Sequence, residues 1–281
     1  MTGAASDAVA RTVVVTVEAA DVEIASDALR LAGARAIEER EVAQGIELVC
    51  VLGQDASVID AVIRDLGDRW PVRVEIVDTA VADTWRTFVE PIEVDDRLVI
   101  VPEWRAFTPT NAAVITIDPG AAFGMGDHPT TRLSARAVLD AVRDGDSVLD
   151  MGCGSGVLGI VAARFGATMV HAVDIDAEAV AATLHNADRN GVSDRIAASQ
   201  SATVPQLSEP VDLICANILA PVLLDLSASL VAQVRSGGTV ILSGLLADHS
   251  RHVVDRYRSL GLERVDRLTL GGWCAEVMRR R

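Results

Sequence analysis

Between Val148 and Gly156 the chain reads Val-Leu-Asp-Met-Gly-Cys-Gly-Ser-Gly, an apolar run that feeds three alternating glycines and then a helical pattern. Glycine has no Cβ, so at the carboxyl end of a strand such a segment can turn sharply and let a ligand approach the backbone. A dinucleotide fingerprint, G-x-G-x-x-G, would need glycine where this chain has Val157, which argues against a pyrophosphate-bearing cofactor. The next apolar run, Val170-His171-Ala172-Val173, ends in Asp174, a carboxylate placed to accept both hydroxyls of a ribose. A glycine loop alone can be a plain structural turn, and Asp174 alone a helix N-cap. Asp176 is better placed for that cap, which frees Asp174 for a ligand. The chemistry on offer is binding of an adenosine-type cofactor that lacks a pyrophosphate.

On these residues the chain resembles class I S-adenosylmethionine-dependent methyltransferases. A longer stretch, Asp118-Pro-Gly-Ala-Ala-Phe-Gly-Met-Gly-Asp-His-Pro-Thr-Thr131, is similar to the signature of the ribosomal-protein methyltransferase family that modifies the eleventh protein of the large subunit. That family usually carries Thr where this chain has Asp127. Ala216-Asn217-Ile218-Leu219-Ala220 and the closing Trp273-Cys274 fit it too. The resemblance implies a doubly wound, seven-stranded methyltransferase sheet behind an N-terminal ferredoxin-like α+β domain. It implies S-adenosylmethionine as cofactor, with contacts from Phe123, Thr131, Gly152, Gly154, Gly156, Asp174, Ile175 and Asn217. Asn217 and Ile218 would align the substrate amine. Related amino-group methyltransferases carry N-P-P-Y there, and the aromatic stacks on a planar target. Ile218-Leu219-Ala220 offers no such platform, so a lysine or N-terminal amine suits this chain better than adenine or glutamine.

The loop before Thr131 is long, apolar and glycine-rich, suited to lying over the cofactor as a lid. Thr131 is a cofactor contact or a simple N-cap, and His128 a base or a loop-ordering residue. The expected function is methylation of amino groups on a Lys-rich ribosomal protein. The alternative is a lysine methyltransferase of another protein, such as an electron-transfer flavoprotein subunit. An NAD-dependent oxidoreductase is disfavoured by Val157. A binding module without turnover is a further rival.

Composition narrows the rest. With 40 acidic against 25 basic side chains the formal net charge is −15, which disfavours nucleic acid and anionic membranes as partners and suits a basic protein. All the basic side chains are Arg, so no Lys is present to form a Schiff base. Cys50, Cys153, Cys215 and Cys274 have no C-x-x-C spacing, and the histidines no H-E-x-x-H pattern, so no metal is expected. His249 and His252 read as a solvated helix face. No apolar run is long enough to span a bilayer and no signal peptide is visible, so a cytoplasmic protein is expected, as a monomer.

These residues need elements to hold them. The first eighty residues read strand (12–17), helix (22–31, Asp21 as N-cap), strand (34–39), strand (46–52), helix (57–66) and strand (72–77). That β-α-β-β-α-β order is the split βαβ pattern of a ferredoxin-like domain, expected to recognise substrate. Residues 1–80 also hold 15 acidic and seven basic side chains, so the negative charge is concentrated there. A linker region follows at 81–110, with a short strand at 97–101. The catalytic domain, 111–281, then alternates strands (113–117, 147–151, 169–175, 212–216, 239–245) with helices (from about 130, then 157–165, 177–190, 221–235, 248–260). Two last strands, 262–270 and 273–278, form a hairpin through Gly271-Gly272. Alternating β and α with short loops argues for a parallel, doubly wound sheet.

Overall fold

The computed structural model describes residues 9–32, 34, 37–51, 56–78, 91–108, 111–118 and 128–281. The chain divides into two compact units, Met1–Val89 and Glu90–Arg281.

The smaller unit runs β1 (Val9–Val17), α1 (Val22–Leu31), β2 (Ile37–Val42), β3 (Gly45–Val51), α2 (Ala56–Gly67) and β4 (Val72–Asp78). Its sheet has the order β2-β3-β1-β4, all neighbours antiparallel, which is the expected ferredoxin-like arrangement. Alternation drives it: Val13, Val15 and Val17 of β1 and Leu48 and Cys50 of β3 bury one face. Ala25 and Leu29 of α1 and Ile59, Val62 and Leu66 of α2, at helical spacing, bury the other side of that core. Asp21 lies in a 3-10 turn that leads into α1, where its carboxylate accepts from the Trp70 indole N–H at 2.9 Å.

The larger unit opens with a three-stranded sheet, β5 (Ile92–Asp95), β6 (Leu98–Pro102) and β7 (Ala113–Ile117), in that order. Part of the stretch read as a linker is therefore built into this unit. The reason is hydrophobic: Leu98 and Ile100 are fully buried in one core with Ile115 and Ile117.

The main sheet has seven strands in the order β10-β9-β8-β11-β12-β14-β13. They are β8 (Ser147–Met151), β9 (Met169–Asp174), β10 (Ile196–Gln200), β11 (Val211–Asn217), β12 (Val234–Leu246), β13 (Leu262–Leu270) and β14 (Trp273–Arg280). The first five are parallel, and the β13–β14 hairpin closes the sheet antiparallel. Helices α3 (Pro129–Ala141), α4 (Val157–Arg164), α5 (Ala177–Arg189), α6 (Ala220–Asp225), α7 (Ser227–Gln233) and α8 (Arg251–Ser259) connect them.

Local features depart from the sequence reading: the strand expected over 34–39 lies at Ile37–Val42, and β12 begins at Val234 rather than at 239. Strand β10, Ile-Ala-Ala-Ser-Gln, has too little apolar content to stand out, and it forms because it is an edge that pairs only with β9. The single helix expected over 221–235 breaks at Leu226 into α6 and α7. No helix among the described residues is long and apolar enough to cross a membrane.

Candidate functional site

Strand register brings the chemistry together. Met151 at the end of β8 lies beside Val173 of β9 on one side and Ala216 of β11 on the other. The next residue on each path is Gly152, Asp174 and Asn217. They therefore form a row across the carboxyl edge of three adjacent parallel strands, about 10 Å from end to end at ordinary strand spacing. Chain order runs outward from β8 in both directions, through β9 and β10 one way and β11 and β12 the other. This is the switch point at which open α/β sheets form their ligand crevice.

The glycine loop leaves β8 with positive φ at Gly152 (+74°), Gly154 (+53°) and Gly156 (+81°), and Gly156 caps α4. At Gly152 a Cβ would lie 2.2 Å from Ile218 Cγ2, so the close pass of the two loops requires glycine there. Asp174 is held before any ligand arrives. Its Oδ2 accepts from the Gly154 N–H at 2.9 Å and its Oδ1 from the Asp176 N–H at 3.0 Å. Asp176 caps α5, accepting from the Glu178 N–H, as expected. Ile175 beside it is 69% exposed, an apolar surface open next to the carboxylate.

On the other flank, Asn217 ends β11 opposite Ser243 of β12. Gly244 follows at φ +81°, where a Cβ would meet the Ile218 carbonyl oxygen at 2.5 Å. Thr131 is buried at the start of α3. The N-cap role considered for it belongs to His128, whose Nδ1 accepts from the Thr130 N–H at 3.3 Å and lies 2.7 Å from Thr130 Oγ1. The His128 ring also meets Trp273 edge-on at 4.9 Å between centroids, consistent with an ordering role. Thr131 Oγ1 is left buried with no hydrogen-bond partner among the described residues. A buried hydroxyl without a partner costs about 1–3 kcal/mol, which a polar ligand group would relieve. Phe123 and Asp127 lie outside the described residues.

Several site residues carried no functional assignment in the sequence. Asp150, mid-strand in β8, is fully buried, and burial pushes its carboxyl up to about 6. It accepts from the Gly159 N–H at 2.9 Å and faces Cys215 Sγ at 3.5 Å. A charged residue inside an apolar strand was the available signal. Thr183 and Asn186 of α5 and its C-cap Asn190 turn a buried polar seam toward the glycine loop and β7. Their i, i+3, i+7 spacing places them on one helix face, the signal that could have found them.

The four cysteines are buried and free, and burial raises every one of their thiols, Cys50 to about 11. None is poised as a thiolate nucleophile. Glu103, Asp118 and His185 bring ligand atoms within 4.8 Å of one another, but Arg189 Nη1 lies 2.8 Å from Glu103 Oε1 and supplies positive charge there.

The family described as ribosomal protein L11 methyltransferase (PrmA) matches residues 10–281. The chain is similar to the ribosomal protein L11 methyltransferase of Methylococcus capsulatus, 43% identical over 190 residues that make up 68% of this chain and 64% of that protein. The Exiguobacterium sp. enzyme of that name is 35% identical over 217 residues, 77% of this chain and 70% of the relative. The chain thus spans just under two thirds of the Methylococcus relative and slightly more of the second. A crystal structure of ribosomal protein L11 methylase from Lactobacillus delbrueckii subsp. bulgaricus superposes with a TM-score of 0.64 at 33% identity, covering 69% of this chain and 100% of that one.

Proposed function

The chain belongs to the ribosomal protein L11 methyltransferase (PrmA) family, and from that premise we propose that it transfers methyl groups from S-adenosylmethionine to amino groups of that ribosomal protein. The observation that carries the reading is the row of Asp174, Gly152 and Asn217 across the carboxyl ends of β9, β8 and β11. The relatives named above are all ribosomal-protein methylases, which favours this substrate over an electron-transfer flavoprotein subunit.

The residues present fit the cofactor. Asp174 would accept the ribose hydroxyls, and the open glycine backbone would admit the nucleoside. The orphaned Thr131 hydroxyl would gain a partner, and Ile175 would cover an apolar surface. When bound, S-adenosylmethionine supplies a methyl group made electrophilic by its sulfonium. Asn217 and the Ile218 carbonyl, which the backbone at Gly244 passes closely, would accept the N–H groups of the amine and aim its lone pair. With no aromatic in Asn217–Ala220, the site favours an aliphatic amine over a planar amide.

A free lysine, with a pKa of about 10.4, is protonated at neutral pH. Desolvation and a nearby positive charge both lower that value, so the site needs to position a neutral amine more than to abstract a proton. We assign substrate docking to the smaller unit, whose excess of acidic side chains complements a basic protein.

Calorimetry should show binding of S-adenosylmethionine, weakened by about 1–3 kcal/mol in Asp174→Ala, the range for hydrogen bonds to a charged group. Tighter binding of NAD would overturn the cofactor. With labelled cofactor, the ribosomal protein should gain label on amino groups, and Asn217→Ala should lose turnover far more than thermal stability. An unlabelled ribosomal protein would overturn the substrate.

A further inference from the structure

Among the described residues, strand β7 is an edge of its three-stranded sheet, and two side chains pair with its outer side. Asn190 accepts from the Thr116 N–H at 3.0 Å and donates to the Thr116 carbonyl at 2.8 Å. One turn earlier, Asn186 accepts from the Asp118 N–H at 2.9 Å and donates to the Asp118 carbonyl at 2.8 Å. The asparagines therefore pair with β7 and with the residue that follows it as a strand would.

Asn186 does one thing more. Its Nδ2 also donates to the Ser155 carbonyl in the glycine loop at 2.9 Å. Another turn back, Thr183 Oγ1 lies 3.0 Å from the Gly154 carbonyl and 3.2 Å from Cys153 Sγ. Thr183 and Asn186 are both fully buried, and Asn190 is nearly so. Each amide oxygen and nitrogen of Asn186 is matched, so the side chain can sit in only one orientation.

A planar trans peptide points its carbonyl and its N–H in opposite directions. Two consecutive loop carbonyls, Gly154 and Ser155, are drawn onto α5. The Ser155 carbonyl shares its plane with the Gly156 N–H, which donates to the Cys153 carbonyl at 2.8 Å. The other end of that Cys153 peptide is the Gly154 N–H that donates to Asp174. Without these bonds, three positive-φ glycines in five residues would leave the loop many shapes to sample.

We propose that Asn186 and Thr183 are positioning residues that lock the glycine loop, and Asn186 the entry to residue 118, in the cofactor-binding shape before the cofactor arrives. The proposal rests on the assignment of S-adenosylmethionine to this site. It differs from a purely structural role because Asn190, the C-cap of the same helix, supplies comparable buried hydrogen bonds to β7 without touching the loop.

The test compares four variants of the full chain with wild type. Asn186→Ala and Thr183→Val should each weaken S-adenosylmethionine binding about tenfold by calorimetry, the scale of one lost hydrogen bond. Asn190→Ala, even where it lowers the melting temperature as much, and Thr183→Ser, which keeps the hydroxyl, should stay within about twofold of wild type on the same scale. Hydrogen exchange in the ligand-free protein reads the lock itself. Amides of the 152–156 segment should exchange faster in Asn186→Ala and Thr183→Val but not in Asn190→Ala.

Unchanged affinity and exchange in the first two variants would overturn the proposal, as would an equal loss in Asn190→Ala. Wild type that fails to bind the cofactor would instead overturn the cofactor assignment, while exchange still reports on the lock.

Discussion

Asp150 stands in β8, where among the described residues only the Gly159 N–H and the weak donor Cys215 hydrogen-bond its carboxylate, and burial lifts its carboxyl from 3.8 to about 6. Between those two values the native protein keeps a proton that the unfolded chain has released. Stability therefore falls as pH rises through that window, and the loss is complete above it. Asparagine keeps the acceptor for Gly159 and has no charge to desolvate. Asp150→Asn should be more stable than wild type above pH 6, by up to about 3 kcal/mol for a two-unit shift. The difference should shrink steadily as pH falls toward 4. Denaturant unfolding at a series of pH values measures it, and a pH-independent difference would mean that Asp150 is not desolvated as described.

The elements act on the site through close approach. Strand β12 shifts register against β14 between Leu242 and Leu245, and Gly244 sits within that irregularity, where its positive φ lets the backbone pass the Ile218 carbonyl. Gly244→Ala meets two penalties, strain at φ +81° and a 2.5 Å contact with backbone oxygen. It should destabilise the protein by about 2 kcal/mol or more and displace Ile218, so turnover should fall further than cofactor affinity. Gly261→Ala is the control, since φ is +93° but nothing lies within 4 Å of the added Cβ. It carries only the strain, about 1 kcal/mol, and should leave turnover unchanged. Equal effects of the two substitutions, by unfolding and by turnover, would remove the role given to the Ile218 carbonyl.

At the scale of the molecule, each unit has its own buried core, and the glycine loop, Asp174 and Asn217 all belong to Glu90–Arg281. Removing residues 1–89 should therefore leave S-adenosylmethionine binding at wild-type affinity. Methylation of the ribosomal protein should collapse, because the acidic unit assigned to docking is gone. In the full chain, the association rate with that substrate should fall as salt rises, since exposed charges are screened over a Debye length of about 8–10 Å. Stopped-flow binding and label transfer measure the two. A truncated protein that labels its substrate at the full rate would show that residues 1–89 do not recognise it.

Much of this was already present along the chain. The alternation of Val13, Val15 and Val17, the glycine loop after an apolar strand, Asp174 at the end of the next, and Asp176 as a cap are local patterns, set by neighbours in sequence. They determined both fold classes and marked most of the residues proposed to hold the cofactor. Strand β10 was not legible, because a short polar edge acquires its conformation from the partner strand rather than from its own residues. Asn186 looked like an ordinary helical asparagine, and only tertiary packing set its amide between residue 118 and Ser155. The row of Gly152, Asp174 and Asn217 belongs to the same class. Its residues are distant in sequence, and only the parallel register of β9, β8 and β11 makes them neighbours, because a sheet turns strand order and hydrogen-bond register into distance.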